Sequence, residues 1–220
     1  MKVTIRDIKE NEEVQTYIKL GNNNLGVMGF TEHGFRHANL VSHIAENILK
    51  KLNYPEREQQ LAAIAGYMHD IGNVISRYGH GQSGALITWK ILDKMKMPPE
   101  EIATIASAIG NHEEQYGRAI NEVAAALILA DKSDVHRTRV RNRDIAKFDI
   151  HDRVNYAVER SFVNVNEGER VITLDLTIDL DICPVMEYFE IFLTRMIMCR
   201  RAAGFLKTKF ELIINNAKLL

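Results

Sequence analysis

Five side chains combine metal-binding chemistry with a position the apolar pattern assigns to the interior. His69 and Asp70 end the apolar stretch 62–73, AAIAGYMHDIGN, and His69 stands four residues after Ala65. His37 lies three before Leu40 and four before Val41. His112 follows Ile109 by three and Ile105 by seven, and Asp131 follows Leu127 by four and Ile128 by three. Spacings of three, four and seven put each polar group on an apolar helix face. Burying an imidazole or carboxylate is costly unless a hydrogen bond or a cation compensates. One buried histidine with an ordinary hydrogen bond is common. Four such residues on four separate helices, with Asp70 beside one of them, point instead to a shared ligand. Bundles build metal sites from side chains on facing helices. Histidine and carboxylate donors without cysteine suit Fe, Mn, Co, Ni or Zn rather than a thiolate or all-oxygen site.

The elements that must position these groups can be read in order. Residues 1–31 form a helical lead-in followed by a loop, with GNNNLG at 21–26 as the breaker. HGFRHANLVSHIAENILKKLN is a strong helix with Leu40, Val41, Ile44, Ile48 and Leu52 as its stripe. Pro55 suits the first turn of the helix that runs through Leu61, Ile64 and Met68 to His69. The Gly-rich loop RYGHGQSGA opens a helix carrying Leu86, Trp89, Leu92 and Met95. Pro98, Pro99, Glu100 and Glu101 start another, carrying Ile102, Ile105 and Ile109 to His112. Residues 121–135, NEVAAALILADKSDV, are apolar on every side and therefore read as a buried helix. RVRNRD is a solvated connection and FDIHDRVNYAVERS a further helix. A β-hairpin with its turn at 166–169, an apolar helix from Pro184 through Met198 and a strand at 209–215 complete the chain. The expected fold is mainly α: a helical body over 1–145, then a small α+β appendage over 146–220, possible as one continuous domain. So few strands are rarely stable alone, so the appendage is expected to pack on the body or, in a homodimer, on a second subunit.

Composition narrows the function. A net charge of −1 with 26% charged residues argues against a whole-protein polyanion binder, so attraction for phosphate must be local. Cys183 and Cys199 lie far from the histidines and read as buried free thiols in a reducing compartment. The N-terminus, MKVTIRDIKENEEV, has no apolar core of a signal peptide. No apolar run approaches the roughly 20 residues that span a bilayer. A soluble cytoplasmic protein with no membrane partner is expected.

The order His37, His69-Asp70, His80, His112, Asp131 resembles the HD-domain superfamily, named for its His-Asp doublet. MHDIGN resembles the family's core motif, RHANLVSHIA its first-histidine helix and ILADKSD its final-aspartate helix, over roughly residues 30–140. The resemblance implies an HD-like helical bundle and a dinuclear site. His37, His69, Asp70 and Asp131 would hold one metal, and Asp70, His80 and His112 a second, with Asp70 bridging. Asn73 replaces a lysine that contacts substrate phosphate in some subfamilies. The GYP signature is absent and Glu113, not a second histidine, follows His112, so the chain departs from the cyclic-dinucleotide phosphodiesterases.

The expected activity is hydrolysis of a small phosphoester, a nucleotide, by metal-activated water, with Asp70 or Asp131 assisting proton transfer. The alternative is a di-iron oxygenase acting on a small organic substrate. The basic cluster Lys132, Arg137, Arg139, Arg141 and Arg143 is either a solvated helix end or a phosphate contact. Lys132 and Arg137, nearest Asp131, are its candidate substrate-binding residues, and the cluster alone gives no case for nucleic acid. Asp134 is a candidate to orient a ligand or a water. Gly79-His80-Gly81 offers helix N–H groups to a phosphate. His33 and Glu32 are weaker candidates beside the metal, His43 is expected to be exposed, and His136 and His151 are expected on the surface.

Overall fold

The computed structural model describes residues 2–142 and 144–219; Arg143 of the basic cluster lies outside the described residues. Helix α1 (Ile5–Glu10) is closed by a capping box in which Thr4 and Asp7 exchange hydrogen bonds. Asn11 ends it and caps α2 (Glu12–Val27) by accepting from the Val14 N–H. The stretch GNNNLG does not break the chain: α2 runs through it. A helix-interior glycine costs about 1 kcal/mol relative to alanine. Tertiary contacts outweigh that cost here, with Ile18 and Leu25 buried and the Asn24 side chain donating to the Val74 carbonyl.

The body continues with α3 (Phe35–Lys51), α4 (Glu56–Met68), a 3-10 turn (Ile71–Val74), α5 (His80–Lys94), α6 (Pro99–Gly110) and α7 (Glu122–Ser133). Helix α7 sits at the centre, packed by α3, α4, α6, α9 (Val185–Phe205) and the first strand of the appendage. Its residues from Val123 to Ala130 are all buried. Each fully buried Leu or Ile contributes about 1.5–3 kcal/mol from area removed from water. That all-round burial is why its sequence lacks a polar face. On α5 the buried positions are His80, Gly81, Gly84, Thr88, Ile91 and Leu92, whereas Leu86 and Trp89 face solvent.

The C-terminal part comprises α8 (Ile150–Ala157), β1 (Val158–Asn166), β2 (Val171–Ile178), α9, β3 (Lys209–Ile214) and the short β4 (Ala217–Lys218). Helix α8 ends at Ala157, so residues 158–161 are strand rather than helix, and α9 extends to Phe205. β1 and β2 form the antiparallel hairpin, β2 and β3 pair in parallel with α9 as the crossover, and β3 and β4 are antiparallel. The register pairs Ile172 with Phe210 and Leu174 with Leu212, so a β-branched and aliphatic face is buried. One apolar core joins Leu127 and Ile128 of α7 to Phe192, Met196 and Cys199 of α9 and Leu174 of β2. The fold is thus mainly α with a small α+β appendage sharing the body's core.

Candidate metal centre

Six potential donors converge from five segments. His37 stands on the first turn of α3, which Glu32 starts by accepting from the Gly34 N–H at 2.6 Å. His69 caps the C-terminus of α4, and Asp70 precedes the 3-10 turn. His80 opens α5 after Gly79 in the left-handed conformation. His112 lies two residues past the end of α6, and Asp131 is on the last turns of α7. Two glycines set the approach. A Cβ on Gly66 would lie 2.8 Å from Ser42 Cα, so only glycine lets α4 come close enough to α3 to join His69 to His37. A Cβ on Gly72 would run into the His80 carbonyl and, at 2.6 Å, the Gly84 nitrogen, so that glycine seats α5 against Asp70.

The imidazoles are oriented before any ligand is considered. His69 Nδ1 lies 2.8 Å from the Gly66 carbonyl, His80 Nδ1 3.0 Å from the Arg77 carbonyl, and His112 Nδ1 2.6 Å from the Ile109 carbonyl. A carbonyl only accepts, so each Nδ1 carries a proton and Nε2 is the nitrogen left to serve as a ligand once it is free of a proton. His37 Nδ1 faces Asp134 Oδ2 at 2.6 Å, which fixes its ring the same way. The Nε2 atoms then face one another: His37 and His69 at 3.2 Å, His80 and His112 at 3.1 Å. Two lone pairs at such distances repel unless a cation lies between them.

The carboxylates complete the donor set. Asp70 Oδ2 is 3.3 Å from His69 Nε2 and 3.5 Å from His37 Nε2, and Asp70 Oδ1 is 3.3 Å from His80 Nε2. Asp131 Oδ1 is 3.3 Å from His37 Nε2 and 3.5 Å from His69 Nε2. Donors about 2.1 Å from one ion are separated by roughly 3.0–3.4 Å in octahedral or tetrahedral geometry, so these spacings fit a bound metal. Asp70 Oδ2 is buried with no hydrogen-bond partner among the described residues, as expected of an atom reserved for a cation. Three groups of three donors result: His37, His69 and Asp70; Asp70, His80 and His112; and His69, His112 and Asp131. His112 therefore belongs to both halves of the cluster.

The electrostatics call for positive charge at the same point. Burial opposes charge on His69, yet the Asp70 and Asp131 carboxylates outweigh it and push the imidazole up to about 10. Burial likewise opposes ionisation of both aspartates. His69 nonetheless holds Asp70 well below the usual carboxylate range, and Lys132 with His37 does the same for Asp131. Burial and the neighbouring His69 and His80 push His112 down, towards the neutral form a metal requires.

A cavity of about 580 Å³ opens onto Asp70, His80, His112 and Asp131. Lys132 lines it, its Nζ 2.6 Å from Asp131 Oδ2. Arg137 is not brought to this cavity: it bonds Glu159 at 2.9 Å and lies over the Tyr156 ring. Past α7 the chain turns through the 3-10 turn Arg137–Arg139, in which Arg139 is the buried arginine. Arg139 is 4% exposed and donates to the carbonyls of Glu32 and Asp134, so the RVRNRD segment is not wholly solvated. Arg77 and Arg195 also line the cavity. Arg77 belongs to the loop whose carbonyl holds His80. Arg195 comes from α9, in a tail whose sequence carries no chemical signal, and bonds Glu114 at 2.6 Å.

The remaining residues have clear places. Asp134 joins His37 to Arg36, whose Nη2 lies 2.7 Å from Asp134 Oδ2. Asn73 is buried and donates to Asp70 Oδ1 at 3.0 Å, so it braces the central carboxylate rather than facing a substrate. Glu113 Oε1 accepts from the Gly81 N–H at the start of α5, which fills that helix end with a carboxylate. His33 lines the cavity, its Nδ1 2.7 Å from the Thr31 carbonyl and its ring edge-on to His37. His43 is exposed, His136 bonds Thr138 and the Glu159 carbonyl, and His151 is exposed.

Among known proteins, the chain is 27% identical over 191 residues to the uncharacterized protein MJ1020 of Methanocaldococcus jannaschii, covering 76% of this chain and 73% of that one. No helix among the described residues is long and apolar enough to cross a membrane. Residues 34–154, more than half the chain and the segment carrying all six donors, match the HD domain. The chain therefore belongs to the HD-domain family, which indicates a metal-dependent phosphohydrolase.

Proposed function

We propose that this chain hydrolyses a small phosphoester, a nucleotide, with two divalent transition metals (Fe, Mn, Co or Ni, with Zn as a further option) held around Asp70. One observation carries the reading: the two oxygens of Asp70 face different imidazoles, Oδ2 towards His69 and His37 and Oδ1 towards His80. In this assignment His37, His69, Asp70 and Asp131 hold one metal and Asp70, His80 and His112 the other. Bound there, the metals supply a water of lowered pKa and positive charge for the phosphoryl oxygens.

The chain's own residues supply the rest. Lys132 holds Asp131 in place and adds a cation at the cavity wall. Arg77 and Arg195 add guanidinium groups that suit bidentate contact with phosphate. Those cations favour an anionic substrate. Asp70 and Asp131 remain ionised at neutral pH, as metal ligands must be, and of the two only Asp131 keeps an oxygen turned away from the histidines, Oδ2 beside Lys132, to take up the proton of the attacking water. His33 also lines the cavity; burial and the neighbouring Arg139 hold its imidazole well below the usual range, so with Nδ1 donating to the Thr31 carbonyl its Nε2 can accept a hydrogen bond but carries no proton to give.

The test is a phosphoester panel with the protein loaded with Mn²⁺ and other divalent metals. Hydrolysis is expected, and Asp70→Ala is expected to abolish it. A chain that hydrolyses no phosphoester, while its iron-loaded form consumes O₂, would overturn the reading in favour of an oxygenase. Metal analysis addresses the second ion: His80→Ala/His112→Ala should halve the metal content, and an unchanged content would refute that site.

A further inference from the structure

The cations that line the metal-facing cavity are not equivalent. Lys132 sets its Nζ 2.6 Å from Asp131 Oδ2 and 3.8 Å from Glu114 Oε1. Arg195 bonds Glu114 at 2.6 Å and lies over the Phe192 ring. Arg139 spends its donors on the carbonyls of Glu32 and Asp134 and stands 3.7 Å from Asp134 Oδ2. Each of these three has a carboxylate to match its charge. The acidic groups of the wall are used in the same way. Asp70 and Asp131 belong to the metal donor set, and Glu114 holds Arg195 and Lys132. Glu113 accepts from the Gly81 N–H and lies 3.3 Å from His80 Nδ1. Arg77 is the cation left over.

No carboxylate among the described residues pairs with Arg77. Its guanidinium donates from Nη1 to His80 Nε2 at 3.4 Å and rests over the Phe30 ring, 5.6 Å from the centroid. An adjoining chamber of about 250 Å³, which reaches α8, also opens on Arg77, and its carboxylates Asp149 and Asp152 do not pair with it either. His80 Nδ1 is committed to the Arg77 carbonyl, so Nε2 is the atom that serves a metal. That nitrogen cannot give its one lone pair to both a metal and Nη1. Metal binding therefore takes this acceptor away and leaves a guanidinium beside a divalent ion at an open cavity. Two cations so placed repel, and an anion between them turns the repulsion into attraction on both sides.

We infer that Arg77 is a catalytic residue, donating its N–H groups to the phosphoryl oxygens of a substrate held at the His80–His112 end of the donor set. Its donors are satisfied only when that anion is in place. The inference rests on the phosphohydrolase reading for its catalytic arm alone.

The experiment compares the Mn²⁺-loaded parent with Arg77→Ala and Arg77→Lys. Each is assayed on the best ester of the panel and, without catalysis, titrated calorimetrically with inorganic phosphate. Arg77→Ala is expected to lower kcat by about 100-fold or more, the size of one lost transition-state donor. Its phosphate affinity should fall by about tenfold, as for one lost charged hydrogen bond. Metal content should match the parent's, and added guanidinium should partly restore kcat in Arg77→Ala and not in the parent. Arg77→Lys keeps the charge without the fork and should fall between the two. Unchanged kcat and phosphate affinity in a variant with the parent's thermal midpoint would overturn the assignment. So would a loss that follows lost metal, which makes Arg77 a prop for His80 instead. If Arg77→Ala does not fold, Arg77→Lys carries the same test. If the parent hydrolyses no ester, the phosphohydrolase reading fails and the titration decides Arg77 separately. Phosphate binding that weakens in the variant supports the contact; no binding to the parent, or equal binding to both, overturns it.

Discussion

At the residue scale, Asp134 is where a single side chain governs the most. It orients His37, receives Arg36 and stands beside the buried Arg139. Losing such an orienting carboxylate typically costs 10–100-fold in metal affinity. Asp134→Asn should weaken Mn²⁺ binding by about that factor in a chelator-competition titration. The same residue gives a pH signature. Burial opposes its charge, but Arg139, His37 and Arg36 hold its carboxyl far below the usual range. Unfolded, the group titrates near about 3.9. The folded value is the lower one, so its stabilisation is present above that pH and is lost as the pH falls towards the folded value. Melting curves from pH 5 to 2 should therefore fall more steeply for the parent chain than for Asp134→Asn. His37, His69, His112 and Asp131 were legible in the sequence because helical spacing placed a polar group on an apolar stripe. His80 was legible only through the family resemblance. Asn73 was misleading: its partner is Asp70, three residues away, and only the turn geometry reveals the contact.

At the scale of elements, the close crossing of α3 and α4 decides whether the donors meet. Gly66→Ala puts a Cβ against Ser42 backbone atoms, which no side-chain rotation relieves. Overpacking of this kind costs about 1–3 kcal/mol, and each kcal/mol lowers Tm by about 2–4 °C in a chain of this size. Calorimetry should show that loss together with weaker metal binding, because the crossing holds His37 against His69. Gly110→Ala, whose Cβ would meet Ala85 at an ordinary 3.7 Å, should be nearly neutral. Helix order and the hairpin were readable from capping and periodicity. The continuation of α2 through GNNNLG was not, because burial of Leu25 and the Asn24 contact are tertiary facts. The parallel pairing of β2 with β3 was also hidden, since a crossover helix looks the same in sequence whichever strand it serves.

Across the whole molecule, the C-terminal part is a wall of the site as well as a neighbour of the body. Helix α9 covers α7 and delivers Arg195 to the cavity, and α8 lines the adjoining chamber. Removing residues 146–220 would expose the α7 face that packs on Phe192 and Met196. Such a fragment is expected to lose its cooperative thermal transition and bind a hydrophobic dye. A fragment that still melts sharply and binds metal would show that the body stands alone. No pattern in the tail announced this role, because Arg195 acquires its meaning only from the distance α9 spans.

The three imidazoles whose Nδ1 rests on a carbonyl share a further property. In each case the carbonyl belongs to the residue three positions earlier: Gly66 for His69, Arg77 for His80, Ile109 for His112. No side-chain substitution can delete a main-chain oxygen. The aim of these rings is thus sheltered from point mutation and available as soon as each local turn forms. His37 alone depends on a distant, replaceable carboxylate, 97 residues away. Evolutionary drift or engineering can therefore retune this centre most readily at its first histidine, while the other three travel intact with their own short segments.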